Sequence, residues 1–174
     1  PKNIARDISD SVSFPECVQG FVRGRSAVSN ATMHLGQRVI LHVDIENFFD
    51  TIDRALVERA FVSLGCVPSI ADFLSRVCTR KGRLPQGAST SPILANLVCM
   101  SLDVELSALA STSQARYSRY ADDLAFSGEL PLDVSAVRRI LGNHGFALRE
   151  DKVREQWRGK SQYVTGLSVV DRAS

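Results

Sequence analysis

The stretch Arg119–Gly128, RYADDLAFSG, places two adjacent aspartates, Asp122 and Asp123, inside an otherwise apolar run. The segments on either side, ARYSRY (Ala115–Tyr120) and LAFSG (Leu124–Gly128), read as two strands of a hairpin that turns at Ala121–Asp123. Standing alone, an Asp-Asp pair at a turn is ordinary turn chemistry, because aspartate favours such positions. A third acid supplies a second reading. Asp44 lies near the end of RVILHVDI (Arg38–Ile45), a β-branched run that reads as a buried strand. Antiparallel pairing of that strand with the hairpin brings Asp44 beside Asp122 and Asp123. Carboxylates so close repel unless cations lie between them. Hard oxygen ligands on a few rigid positions suit magnesium, which keeps some waters and takes its remaining ligands from substrate phosphates. Two such ions can activate an attacking hydroxyl and stabilise the leaving oxygen of an in-line phosphoryl displacement.

The rest of the chain sets the frame. With 174 residues, 44% hydrophobic and 23% charged, it is long enough for one compact core and too apolar for a disordered chain. It begins with proline, which suggests a fragment of a longer protein. No apolar run reaches the roughly 18 residues that span a membrane, and the N-terminus lacks the form of a signal peptide. The net charge is +2, and the basic residues are mostly arginines, whose planar fork suits phosphate. Scattered surface charge explains the same composition. Cys17, Cys66, Cys78 and Cys99 are widely separated with no CxxC pair, so a reduced, cytoplasmic protein without a zinc site is the simplest reading.

Along the chain, residues 1–34 are mixed, with turn formers and few periodic apolars. DRALVERAFVSLG (Asp53–Gly65) and PSIADFLSRVCTR (Pro68–Arg80) read as helices, the first with Asp in its first turn and the second with Pro at its start. KGRLPQGAST (Lys81–Thr90) is a loop, and SPILANLVCMSLDVELSALA (Ser91–Ala110) reads as one long helix. LDVSAVRRILGNHG (Leu132–Gly145) is an amphipathic helix ended by glycine. FALRE (Phe146–Glu150) and QYVTGLSVV (Gln162–Val170) read as closing strands. The order predicts an α+β fold, an antiparallel sheet backed by helices on a split βαβ, ferredoxin-like plan.

YADD (Tyr120–Asp123) resembles the catalytic hairpin of reverse transcriptases, and VDIENFFDTI (Val43–Ile52) resembles their first catalytic motif. LPQGASTSPILANL (Leu84–Leu97) resembles their nucleotide-contacting loop and the helix after it. GFVRGRS (Gly20–Ser26) resembles the stretch before the first motif in bacterial members. NATMH (Asn30–His34) and VTGL (Val164–Leu167) resemble the NAxxH and VTG signatures of retron enzymes. The resemblance covers nearly the whole chain from Gly20 onward. Ser89 and Asp50 stand where those families usually or often have proline, and GLSVV lacks a common closing asparagine.

The resemblance implies a polymerase palm over residues 38–174 and part of the fingers over 1–37, with the early fingers motifs and the thumb missing at the two ends. It implies an RNA-directed DNA polymerase that adds deoxynucleotides to a primer hydroxyl on an RNA template. Asp44, Asp122 and Asp123 would bind two magnesium ions, with the Ile45 carbonyl as an extra ligand. Phe49 would discriminate the sugar, although one of Phe48 and Phe49 is expected in the core. Gln86 and Gly87 would contact the incoming nucleotide. Lys152 would protonate the leaving pyrophosphate as a general acid; a solvated surface lysine is the competing reading. Arg23 and Arg25 would contact template or triphosphate, or else are surface charge. Asn30, His34 and Thr165 would belong to recognition of a structured non-coding RNA that serves as template and primer source. A branched RNA–DNA product, an effector protein and a role in phage defence also come from the family alone. The alternatives are another bacterial reverse transcriptase, from a group II intron or a defence system, and an RNA-binding palm-like domain without polymerase activity.

Overall fold

In the computed structural model, which describes residues 2–169, the β-branched run forms strand β1 (Val39–Asp44), buried along almost its whole length. The expected hairpin follows later in the chain as β2 (Arg116–Tyr120) and β3 (Asp123–Gly128). Asp123 is therefore the first residue of a strand, and the turn consists of Ala121 and Asp122. β3 pairs antiparallel with both β2 and β1, and β4 (Arg154–Trp157) pairs with the outer side of β1. The order β2-β3-β1-β4, all antiparallel, is the split βαβ plan.

Side chains alternate between the two faces of this sheet. On one face, Ile40 and Ala125 pack with Ala31, Val164 and Val169. Ala31 belongs to helix α2 (Ala27–Thr32), and Val164 to the short hairpin of β5 (Tyr163–Val164) and β6 (Leu167–Ser168). On the other face, Tyr117 and Phe126 stack with ring centroids 4.9 Å apart. Burying a pair of this kind contributes about 0.5–1.5 kcal/mol beyond its area. A later helix (Met100–Thr112, α7 below) reaches the same face through Asp103. Helix α8 (Val134–Asn143), capped by the Asp133 carboxylate, buries Val137, Ile140 and Leu141.

These elements form one compact unit, made of Pro15–Glu46 and the chain from Leu102 onward. A second unit takes the N-terminal stretch to Phe14 together with Asn47–Ser101. The units interleave along the chain. The second unit is helical: α1 (Lys2–Ser11), α3 (Phe48–Thr51), α4 (Arg54–Ser63), α5 (Pro68–Cys78) and α6 (Ser91–Val98). α4 lies against α5 and α6, and α1 against α6. Asp53 caps α4 by accepting from the Leu56 N–H at 2.9 Å, so it precedes the helix instead of lying in its first turn.

Four expectations change. Ser91–Ala110 is two helices, α6 and α7 (Met100–Thr112), separated at Cys99. No Gly or Pro marks that break, and the apolar residues run all round the stretch, so periodicity could not see it. FALRE is not a strand: Glu46 and Arg149 N–H groups donate to Ala147 and Asp44 carbonyls at 2.8 Å, one bridge forms at Leu148, and the chain tightens into a 3₁₀ turn over Glu150–Lys152. The fourth strand is instead REQW, whose polar pattern hid it; an edge strand needs no apolar alternation and is guarded by charge. The first 34 residues hold two helices: α1, whose few apolar residues Ile4, Ala5 and Ile8 do recur at helical spacing, and α2, only six residues long. Of QYVTGLSVV, only two two-residue strands form, and Val170 lies outside the described residues.

Candidate active site

The register fixes the carboxylates. Asp44, the last residue of β1, lies directly opposite Asp123, the first residue of β3. The Ile45 N–H donates to the Asp122 carbonyl at 3.0 Å, which locks the turn onto the end of β1. Ile45 itself is fully buried. Asp44 is only 4% exposed, and its Oδ2 accepts from Lys152 Nζ at 3.0 Å. Arg149 Nη1 stands 3.5 Å from Asp44 Oδ1, an oxygen that is buried with no hydrogen-bond partner. Asp123 is held above the ordinary carboxylate range by burial first, then by the charges of Asp122 and Asp44, against the opposing Lys152. A buried carboxylate oxygen without a hydrogen bond and a neighbouring acid strained by like charge are what a cation would relieve. The donor set fits a hard divalent ion. Among the described residues, no three such side chains already converge on one point.

The turn that carries Asp122 is braced from two sides. Ala121 adopts a left-handed φ of 60°. Arg119, fully buried, donates through Nη1 to the Ala121 carbonyl at 3.3 Å. Its Nε and Nη2 grip both oxygens of the equally buried Asp103 at 2.8 and 2.7 Å. The Tyr117 hydroxyl donates to the same carboxylate at 2.8 Å. Burial, reinforced by the Asp103 charge, raises the Tyr117 pKa and keeps it a donor. On the edge of the sheet, the segment Cys17–Gly20 runs beside β2. Arg119 N–H donates to the Cys17 carbonyl at 2.7 Å, and Gln19 N–H to the Arg119 carbonyl at 2.8 Å. Gly20 comes so close that a Cβ there would lie 2.6 Å from the Ala121 nitrogen.

The sequence reading missed Arg149, Arg119, Asp103 and Gly20. Arg149 carried no sequence signal. Asp103 did carry one: an aspartate inside a largely apolar helical run needs a partner if it is buried, and Arg119 is an arginine on a strand whose neighbours Tyr117 and Ser118 are also buried.

The remaining expected residues fall elsewhere. In the helical unit, Phe48 is buried and Phe49 half-buried, with their rings 5.3 Å apart. They diverge on a helical turn, and the expected core residue of the two is Phe48. Gln86 and Gly87 are exposed on the loop before α6. Gly87 takes φ 84° with open space around it, so backbone conformation is what demands glycine. The loop is anchored by the Leu84 N–H on the Ile52 carbonyl and the Ser91 hydroxyl on the Pro85 carbonyl.

NATMH and VTG form one packed assembly. α2 touches β5 and β6, and the Thr165 hydroxyl donates to the Ala27 carbonyl at 3.2 Å. Thr165 and Gly166 both take positive φ at the β5–β6 turn, and Val164 is buried. His34 is fully buried, with its ring nitrogens 2.7 Å from the Ser127 and Ser118 hydroxyls. Burial, with His42 and Arg116 adding, lowers its pKa to about 4, so it is neutral. Asn30 is likewise buried. Neither side chain reaches the surface, so any part they take in recognition runs through the residues packed over them. Arg25 donates to the Pro15 and Val18 carbonyls and so staples its own loop, whereas Arg23 is exposed.

Residues 2–165 match the family described as reverse transcriptase (RNA-dependent DNA polymerase). The chain is 35% identical over 170 residues to the retron Ec86 reverse transcriptase of Escherichia coli, across 95% of this chain and 53% of that protein. It is 37% identical over 175 residues to the retron Mx65 reverse transcriptase of Myxococcus xanthus, across 86% of this chain and 40% of that one. It therefore spans about half the length, or less, of these curated relatives. The structure also resembles apo telomerase from Candida tropicalis truncated from its C-terminal domain, with a TM-score of 0.59 over 95% of this chain and 38% of that one. At 12% identity that likeness is one of fold.

Proposed function

The chain belongs to the reverse transcriptase family, and on that premise we propose that it supplies the palm and part of the fingers of an RNA-directed DNA polymerase of retron type. The observation that carries this is the register of Asp44 against Asp123, with Lys152 hydrogen-bonded to Asp44. Asp44, Asp122 and Asp123 would hold magnesium, with the Ile45 carbonyl as a further ligand. Bound there, the ions would lower the pKa of the primer hydroxyl and neutralise charge on the triphosphate. The chain's own residues do the rest. Lys152 keeps the buried Asp44 charge balanced and is the proton donor for the leaving pyrophosphate. Phe49 excludes a ribose hydroxyl, and Gln86 with Gly87 meets the incoming deoxynucleotide. The α2/β5–β6 assembly, built on Asn30, His34 and Thr165, presents a surface to a structured non-coding RNA. Arg23 is exposed and available to template or triphosphate. On this reading a structured non-coding RNA would be the template and primer source, and an effector protein would be a partner. Among the described residues no single helix is long and apolar enough to cross a membrane.

The test is primer extension on an RNA template with deoxynucleotides and magnesium. It is run with this chain and with any longer protein that carries it, each beside an Asp122→Asn, Asp123→Asn control. Extension that vanishes in the control is the expected result. Inertness of both forms on generic templates and on their own neighbouring RNA would leave the RNA-binding palm in its place.

A further inference from the structure

We propose that the buried Arg119–Asp103 pair is a positioning device for the catalytic turn: it holds the Ala121 carbonyl, and through it the placement of Asp122, while Gly20 backs the same turn from the sheet edge. The inference rests on the polymerase reading for its consequence, but the geometry stands without it.

Burying two charges is costly, and well-packed apolar residues in their place are often as stable or more so. Core stability alone is therefore a poor reason for this pair. What an apolar substitute could not do is donate. Arg119 has a planar fork with donors to spare. Two of its nitrogens are spent on Asp103, at 2.8 and 2.7 Å, and a third points along the chain to the Ala121 carbonyl at 3.3 Å. Asp103 is in turn fixed by the Tyr117 hydroxyl, so the guanidinium has one available orientation. The residue it holds needs holding. Ala121 has a left-handed φ of 60°, which a residue with a Cβ adopts reluctantly. The main chain of Arg119 is also fixed, by the Cys17 carbonyl and the Gln19 and Gly20 N–H groups. Gly20 leaves no room for the turn to relax toward the edge. The next residue, Asp122, offers the carbonyl that receives the Ile45 N–H, one position beyond Asp44. A shift of the turn thus moves Asp122 relative to Asp44.

The Ile45 amide is a reporter of that placement, because it is buried and its acceptor lies on the turn. The decisive variant is Arg119→Lys, which keeps a cation against Asp103 but loses the fork that reaches Ala121. Hydrogen exchange of the Ile45 amide is compared with that of amides in the middle of β1, such as Leu41. In Arg119→Lys, exchange at Ile45 should speed up at least tenfold while the mid-strand amides change less than threefold. In the form that extends primers, kcat should fall at least tenfold, with the KM for deoxynucleotide changed less than threefold. Equal acceleration at Ile45 and Leu41 would mean that only global stability was lost, and would overturn the proposal. Unchanged exchange at both would overturn it as well. If Arg119→Lys does not fold, Tyr117→Phe loosens Asp103 without removing charge, and the same comparison decides. Should the wild-type protein extend no primer at all, the polymerase reading fails, yet the exchange comparison still gives its own answer.

Discussion

Gly20→Ala is the most exacting perturbation the structure offers, because one methyl group is aimed at backbone and not at a yielding side chain. An ideal Cβ there lies 2.6 Å from the Ala121 nitrogen and 3.1 Å from the Tyr120 carbonyl carbon and Cα, where ordinary contact begins near 3.4 Å. Something must move by about 0.8 Å. The loop cannot easily swing outward, because Gln19 and Gly20 N–H groups donate to the Arg119 carbonyl at 2.8 and 3.3 Å and Arg119 donates back to Cys17 at 2.7 Å. Overpacking of this kind costs about 1–3 kcal/mol. In a domain of this size that lowers the unfolding midpoint by roughly 2–12 °C. The larger effect should be on rate. A displacement of about 1 Å in a catalytic group can cost on the order of 100-fold, and the atoms displaced here carry Asp122. The control is Gly128→Ala at the far end of β3, where a Cβ meets nothing closer than 3.5 Å. Thermal unfolding and single-nucleotide primer extension, run on wild type and both variants, give the comparison. Gly20→Ala should lose extension well beyond its loss of stability, and Gly128→Ala should lose neither. A Gly20→Ala protein with wild-type midpoint and wild-type rate would refute the argument that this close approach sets the turn.

Two further outcomes follow from the same structure. His34 has a folded pKa of about 4 against an ordinary 6.5. Between those values the unfolded chain binds a proton that the folded chain refuses. Stability should therefore fall as pH drops below 6.5, reaching a penalty of about 3 kcal/mol below pH 4. Denaturant titrations at pH 7 and pH 5 should differ by about 2 kcal/mol from this group, and His34→Gln should lose that part of the slope; an unchanged slope would mean that His34 titrates normally. Phe49→Ala should relax discrimination against ribonucleotides by roughly tenfold or more, the scale of one lost steric contact. Competition between deoxynucleotide and ribonucleotide incorporation measures it, and an unaltered ratio would assign Phe49 to packing with Phe48.

The sequence by itself determined the ends of the argument. The β-branched run RVILHVDI and the segments ARYSRY and LAFSG on either side of the acid pair marked three strands, two of them central and one at an edge, because strand composition is a local property. The acids Asp44, Asp122 and Asp123 were legible for the same reason: a charge at the end of an apolar run stands out without knowledge of its partner. Lys152 was named but not located, and only the turn over Glu150–Lys152 brings its amine to Asp44. Tertiary structure alone decided the break at Cys99, where an all-round apolar helix gives no local cue. It alone made an edge strand of REQW, which pairs with β1 through backbone groups that side chains do not advertise. It also turned His34 and Asn30 from candidate contacts into buried supports. Burial is a sum over residues distant in the chain, and Ser118 and Ser127, which satisfy His34, stand 84 and 93 positions away. The Arg119–Asp103 pair belongs to both lists. Its charges are visible in the sequence, but that they meet beside the Ala121–Asp122 turn depends on how a helix and a strand distant in the chain come together.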